Sequence, residues 1–428
     1  MITLKNMGIL GGCLSLVLLA LFFVNWVFVI VVIPLVLFLF LSIVTFRREE
    51  IDIDVKRDVS KDRVFENDQI DVSLTIENKG RSISFLEIYD NLSNKVEIVD
   101  GSNYSALSLK KGEKVTLEYV VSCKVRGLYP IGPLKLRTRD FFDLFYKEKT
   151  VESDTYLMVM PHLEEIREIP LKAKANLFPG AVHARQAGIG MEFYGLRKYY
   201  PGDGFKHINW KALAKFNNLM VNEFNVETTT DVVIIIDARQ IESLGSVKYN
   251  PLEHSIKAAG SIASFFLKRR DRVGLVAYGK SEGKLTWVYP ESGKKQLYKI
   301  LEELVEIQGD GEYNFNNMIS QASIHMLPKK SFVFLISSLQ NDDTIFEGVR
   351  QLMRMGFNAL VLSPSSIDIE YSLGENDESD NLAYRILDFE RKNQISKLRN
   401  TGAIVVDWNP STPLMVPLEE VKKYQLMR

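Results

Sequence analysis

Glu192, Asp203, Lys206 and His207 stand close together in the stretch Gly188–Glu227, and between them they offer an acid, a base and fixed charge. Such side chains could serve hydrolysis or group transfer if one of them activated a nucleophile. No nucleophile–base spacing accompanies them, and Tyr, Trp and Phe dominate the surroundings. The same residue types also build ion-paired structural networks. The stretch therefore reads as a network in which Arg197 pairs with Asp203 or Glu192, with Tyr199, Lys206 and Trp210 around it. No catalytic residue is assigned. Gly190, Gly195, Gly202 and Gly204 punctuate the segment, and Pro201-Gly202-Asp203 spells a turn. Glycines at that density suggest a lock between two domains.

Bulk properties remove several classes. With 53 basic and 54 acidic residues the net charge is −1, which argues against nucleic acid as a partner. Two cysteines, Cys13 and Cys123, lie in unrelated apolar runs and are not expected to pair. Five scattered histidines make a zinc site improbable. Nucleotide hydrolysis by this chain is not expected. No cofactor and no metal are called for.

The elements that must position the central stretch fall into a multidomain order. Gly8–Phe46 carries no charge, and two passes turning near Asn25-Trp26 fit a hydrocarbon core of about 30 Å better than one long helix. Residues 1–48 are read as a two-pass transmembrane hairpin. Lys5 precedes it and Arg47 and Arg48 follow it, so the positive-inside rule places the soluble part in the cytoplasm. From 51 to 160 apolar and polar residues alternate, as in Ile70–Ile76 and Val115–Val120. About seven short strands in an immunoglobulin-like sandwich are expected. The aromatic cluster Phe141–Tyr146 reads as packing at a domain edge rather than a binding patch. Residues 161–187, punctuated by Pro161, Pro170, Pro179 and Gly180, read as a linker with Lys172, Lys174 and Arg185 solvated. After the 188–227 stretch, 228–428 alternates strand and helix. The expected strands are Asp231–Asp237, Val273–Tyr278, Phe332–Ile336, Ala359–Leu362 and Ala403–Val406. They imply an open parallel sheet of Rossmann type with helices on both faces, and Glu370–Asn381 is expected to be an acidic loop.

Residues Gly190, Glu192, Phe193, Gly195, Leu196, Arg197, Tyr199, Pro201, Gly202, Asp203, Ile208, Trp210, Ala212, Ala214 and Lys215 follow the pattern G-x-E-F-x-G-L-R-x-Y-x-P-G-D-x-x-R-x-I-x-W-x-A-x-A-[KR]. The segment resembles the signature of the family catalogued as domain of unknown function 58, with Lys206 where that family usually has arginine. Arg126–Pro133 and Asp140–Phe145 resemble two further signatures of the same family, the second normally D-P-F-G-L-F. The C-terminal layout resembles a von Willebrand factor A domain, whose ligand string D-x-S-x-S holds a divalent cation. Here the string is Asp237-Ala238-Arg239-Gln240-Ile241, so only the aspartate matches. A hard cation needs about six oxygen ligands and isoleucine offers none. The metal site reads as dismantled, with the Arg239 guanidinium either in place of the cation, paired with Asp237, or simply exposed. The resemblance implies a membrane-anchored, non-enzymatic adaptor working with a MoxR-type AAA ATPase. Two alternatives stand beside it. One is an envelope hydrolase or transferase using Glu192 or Asp203. The other is an extracytoplasmic peptide- or glycan-binding module, for which Asn91 and Asn103 sit in acceptor triplets for glycosylation.

Overall fold

A computed structural model describes residues 3–47, 51–140, 142–152, 155–169, 192–225, 230–279, 281, 285–319, 328, 331–340, 343–373 and 378–426 of the chain. The linker positions Pro170, Lys172, Lys174, Pro179, Gly180 and Arg185, the signature positions Gly188 and Gly190, and Phe141 lie outside the described residues. The chain divides into two compact units, Met1–His162 with Leu301–Glu306, and Leu163–Ile300 with Ile307–Arg428.

The first unit opens with helices α1 (Leu4–Phe23) and α2 (Val27–Arg47), 20 and 21 residues long. At about 1.5 Å per residue each rises roughly 30 Å, the thickness of a hydrocarbon core. Both are apolar enough to cross a membrane. The turn between them falls at Val24–Trp26, with Val24 in the left-handed region and the Asn25 side chain accepting from the Val27 amide (3.0 Å).

Residues 53–160 then form ten strands, not about seven. They make a four-stranded sheet ordered β1 (Ile53–Val59), β3 (Gln69–Asn78), β7 (Lys114–Cys123), β5 (Val96–Gly101). A larger sheet runs β2 (Arg63–Phe65), β10 (Tyr156–Met160), β8 (Gly127–Arg139), β4 (Ile83–Leu92), β6 (Tyr104–Leu109), with β9 (Tyr146–Val151) also paired to β8. The excess has a physical source. β2 is only three residues long and β9 alternates charges, so neither shows an apolar period. Along β3, Ile70, Val72, Leu74 and Ile76 point inward and meet Leu86 and Ile88 of β4 in one core. Burying each such side chain contributes about 1.5–3 kcal/mol. Cys123 is buried in that core and Cys13 in the hairpin, and both are free thiols.

In the second unit the signature stretch is a small module. Strands β11 (Glu192–Lys198) and β12 (Met220–Asn225) pair antiparallel, with a bulge between Phe193 and Gly195. Helix α3 (Trp210–Phe216) is capped by the Asn209 side chain, which accepts from the Ala212 amide (2.9 Å), and ends at Asn217 in the left-handed region. Ile208, Ala212 and Val221 are buried beneath it.

The rest of the unit is a six-stranded sheet ordered β15 (Thr286–Glu291), β14 (Arg272–Tyr278), β13 (Asp231–Asp237), β16 (Phe332–Ile336), β17 (Asn358–Pro364), β18 (Ile404–Trp408). All neighbours are parallel except β15, an antiparallel edge strand the sequence pattern did not announce. Fully apolar Val232–Ile236 is buried on both faces, as a central parallel strand must be. Helix α4 (Pro251–Lys268) covers one face, where Phe266 meets Phe334. It starts on the pattern Asn250-Pro251, with the Asn250 side chain accepting from the Glu253 amide (2.8 Å). The helix Asp343–Arg354 buries Ile345, Val349 and Leu352 on the other face, in the same core as Val233 and Leu335. Glu370–Asn381 is not a loop throughout. Glu370–Leu373 ends the helix Ser366–Leu373, and Glu378–Asn381 begins the helix Glu378–Asn400. The Ser365 hydroxyl receives the Asp368 amide and nucleates the first of these, so a local cap outweighs the acidic composition.

Candidate functional site

β13 is the first strand of the sheet in sequence, β14 is laid on one side of it and β16 on the other. The loops leaving the carboxyl ends of β13 and β16 therefore diverge, and such a switch point is where open sheets form a ligand crevice. At this edge Asp237 is fully buried. The Arg239 guanidinium closes on it in a bidentate pair, Nε to Oδ1 at 2.9 Å and Nη2 to Oδ2 at 2.6 Å. The Arg239 backbone amide adds a third contact to Oδ1 (3.2 Å). The loop from Gly309 is beside it, since Gln240 donates its amide to the Gly311 carbonyl (2.8 Å).

Two elements below the pair make its geometry possible. Gly279, at φ +97°, ends β14 so close that an added Cβ would lie 2.4 Å from the Arg239 amide nitrogen. Only glycine combines that backbone angle with that approach. The one-turn helix Gln240–Ser243 swings Glu242 under the sheet edge, where it is fully buried. The Glu242 carboxyl receives the Ser338 hydroxyl (2.7 Å) and the Ser338 amide (3.0 Å).

Burial pushes the Glu242 carboxyl up to about 8, with the Asp237 carboxylate the second cause and the Ser338 hydrogen bonds opposing. At neutral pH it holds a proton. The Ser337 hydroxyl donates to Asp237 (2.9 Å), and its oxygen lies 3.3 Å from Glu242. Burial also raises the Tyr278 hydroxyl well above its ordinary value, with Asp237 adding to the effect, so it stays protonated beside them.

The outer wall of this edge is a groove of about 320 Å³ lined by Ile241, Leu339, Ile367, Glu370, Leu387 and Arg391, among others. Leu339 sits at φ +60° although it is not glycine, a conformation that costs on the order of 1–3 kcal/mol and clusters at functional sites. Arg391 holds the groove floor together. It donates to Asp407 on β18 (2.8 Å), to the Ser363 carbonyl on β17 (2.9 Å) and to the Ser338 carbonyl after β16 (2.7 Å). Sequence reasoning found Asp237 and Arg239 but not Glu242 or Arg391 as site residues. Their partners are distant in the chain, 96 residues for Glu242 and Ser338, so no local spacing marks them.

The signature residues gather elsewhere. Arg197 and Asp203 form a second bidentate pair, both contacts 2.6 Å, and Asp203 also receives the Tyr200 amide (2.9 Å). Together with Gly202 at φ +111° this fixes the Tyr199–Gly204 turn. The Arg197 guanidinium, then the Tyr200 amide, hold the Asp203 carboxyl down at about 2. A group that acidic is a weak general base and has no proton to donate at neutral pH. Tyr199 stacks on Phe205 with ring centroids 6.5 Å apart, while Lys206 and Trp210 are exposed. The Glu192 side chain lies outside the described residues. Among the described residues no group of three or more His, Cys, Asp or Glu is arranged to hold a metal ion.

The family described as "Protein of unknown function DUF58" matches residues 195–362, less than half of the chain. That span takes in most of the signature module and the sheet edge as far as β17. Over 285 residues the chain is 22% identical to YeaD of Bacillus subtilis (strain 168), a protein described as uncharacterized, covering 65% of this chain and 67% of that one. Among solved structures it is similar to an aerotolerance-related membrane protein from Bacteroides fragilis NCTC 9343, at 12% identity and a TM-score of 0.31, covering 46% of this chain and 100% of that chain. It is also similar to proximal thread matrix protein 1 from the mussel byssus, at 12% identity and a TM-score of 0.30, covering 45% of this chain and 47% of the other.

Proposed function

We propose that this protein is a membrane-anchored adaptor without enzymatic activity, whose von Willebrand A-like unit offers the carboxyl edge of its sheet to a protein partner. The observation that carries this reading is the bidentate Arg239–Asp237 pair. A guanidinium fixed on the strand-end carboxylate supplies internally the positive charge that a divalent cation would bring, so the edge is organised without metal. The groove beside it is apolar along Ile241, Leu339, Ile367 and Leu387 and carries Glu370 and Glu390 at its margin. Such a surface suits an apolar side chain flanked by basic residues. Family resemblance points to a MoxR-type AAA ATPase as partner, in a chaperone-like or assembly role. An immunoglobulin-like β-unit would stand between this edge and the hairpin in sequence. The flanking Lys5, Arg47 and Arg48 favour a cytoplasmic soluble part, within reach of an ATPase.

The test is binding of a purified MoxR-type ATPase to the full chain in detergent, with magnesium or with a chelator. The account expects binding that is indifferent to chelation on the adaptor side and is weakened at least tenfold by Leu387→Glu. Absence of binding, or binding untouched by Leu387→Glu, would remove the proposal.

A further inference from the structure

The turn Asp140–Phe145 of the β-rich unit is folded onto the base of the helical hairpin. The Asp140 carboxylate receives the amides of Leu144 (2.6 Å) and Phe145 (2.8 Å) on one oxygen and the buried Ser42 hydroxyl (2.6 Å) on the other. The Thr3 hydroxyl donates to the Asp143 carbonyl (2.7 Å), and the Thr3 amide (3.1 Å) and Asn6 side chain (3.2 Å) donate to the Leu144 carbonyl. Lys5 and Arg139 reach the Asp143 carboxylate at 2.8 and 3.1 Å. The Phe142 ring meets Phe38 of α2 edge-on, centroids 4.5 Å apart, yet remains 49% exposed.

These contacts set a depth. Ser42 and Phe38 both lie inside the apolar window Val27–Val44, and Phe38 is about 9 Å of helix rise from its end at Val44. Irregular backbone at such a depth is tolerated only when its polar groups are satisfied within the protein. Among the described residues of this turn, several polar groups have partners. Asp140 and Asp143 are both engaged, the Leu144 and Asp143 carbonyls have donors, and the Asp143 amide is bonded to the Asp140 carbonyl (3.0 Å). The half-exposed Phe142 is an aromatic ring, the type favoured at the boundary of headgroups and acyl chains.

We propose that the turn Asp140–Phe145 is a lipid-contacting wedge, with Phe142 inserted at the membrane interface on the side of Lys5, so that the β-rich unit is seated on the bilayer rather than tethered above it. This rests on the reading that the hairpin spans a membrane. The wedge buries Asp140 against Ser42, pairs Asp143 with Lys5 and presents Phe142 to lipid, which fixes the unit's orientation through both polar contacts and an apolar one.

The test uses the full chain in phosphatidylcholine–phosphatidylglycerol vesicles. An environment-sensitive dye is attached at Phe142→Cys, at Phe22→Cys beside the hairpin turn, or at Val99→Cys on β5, the native thiols being buried. Quenching by nitroxide-bearing lipid is compared with quenching by aqueous iodide. The wedge predicts that the Phe142 and Phe22 positions are quenched by lipid, and that iodide reaches the Phe142 position several-fold less than the Val99 position. Lipid quenching at Phe22 with iodide quenching at Phe142 equal to that at Val99 would overturn the wedge while leaving the spanning hairpin in place. Failure of lipid quenching at Phe22 as well would overturn the spanning reading, and the wedge with it. Because the label replaces the ring, Phe142→Asp provides a second measurement. With a dye at Leu92→Cys as a fold control unchanged, Phe142→Asp should raise protease cleavage at Arg139, and unchanged cleavage would count against insertion.

Discussion

Each unit of this protein buries an arginine against an aspartate, and the two pairs differ in one carboxyl group. In the β-rich unit Arg57 meets Asp90 at 2.6 Å, with side-chain exposures of 7% and 0%. The remaining oxygen of Asp90 takes the Tyr119 hydroxyl, also at 2.6 Å. Burial and the contact with Asp90 push the Tyr119 hydroxyl far above its ordinary value, so one cation, one carboxylate and a neutral phenol close the account of charge. In the α/β unit Arg239 meets Asp237 at 2.6 Å, with exposures of 12% and 0%, but Glu242 is buried beside them. One guanidinium faces two carboxyls, so a proton must make up the difference. Only the second arrangement holds a carboxyl pushed up to about 8. The lesson is that charge count, more than contact distance, separates a structural pair from a responsive site.

The comparison can be broken most severely by removing the cations. Arg57→Met and Arg239→Met should each cost about 3–5 kcal/mol, because each leaves a buried carboxylate without its partner. Hydrogen exchange of β3 and β7 reads the first loss, and exchange of β13 and β16 reads the second. Losses that spread equally through both sets of strands in either variant would deny that the pairs act locally.

A smaller effect sharpens the local geometry of the second pair. Gly279→Ala should cost on the order of 2 kcal/mol in the α/β unit, from a left-handed alanine that also presses on the Arg239 amide. Wild-type exchange rates in β13 of this variant would contradict the close approach.

Smaller still at neutral pH is the loss in Glu242→Gln, which replaces a protonated carboxyl by a neutral amide of the same shape. Its signature is a profile. The folded value of about 8 is raised above the ordinary 4.5, so the folded state binds the extra proton between them. Stability is therefore full below about 4.5 and declines as pH rises through about 8. Glu242→Gln should flatten that decline in the α/β strands and leave the β-rich strands unchanged.

The half-buried Arg197–Asp203 pair is expected to matter least. Its carboxyl is depressed to about 2 from the ordinary 3.8, so its contribution is present above 3.8 and is lost as pH falls through about 2. Asp203→Asn should leave exchange of β11 and β12 close to wild type at neutral pH and differ from it only in the width of the acid transition.

What could be read beforehand follows from how local each signal is. Val232–Ile236 declares a central parallel strand because every side chain in it is apolar, and the hairpin declares itself by length. β15 and β2 escaped because an edge strand of six residues and a strand of three leave no period to detect. Asp237 and Arg239 are two residues apart, so their pairing was open to inspection. Glu242 and Arg391 are brought to the same edge only by the order β13-β16-β17-β18, which sequence periodicity does not specify. Ser42 and Asp140 meet across 98 residues for the same reason.

The proposal that the carboxyl edge carries its own cation and one proton in place of a metal rests on the Arg239–Asp237 pair and the buried Glu242. Its most direct test is hydrogen exchange of β13 and β16 in the full chain between about pH 5 and pH 9, with magnesium and with a chelator. The account predicts protection that falls as pH rises toward about 8 and is the same with either addition. Protection that is flat across this range, or that rises with magnesium, would contradict it.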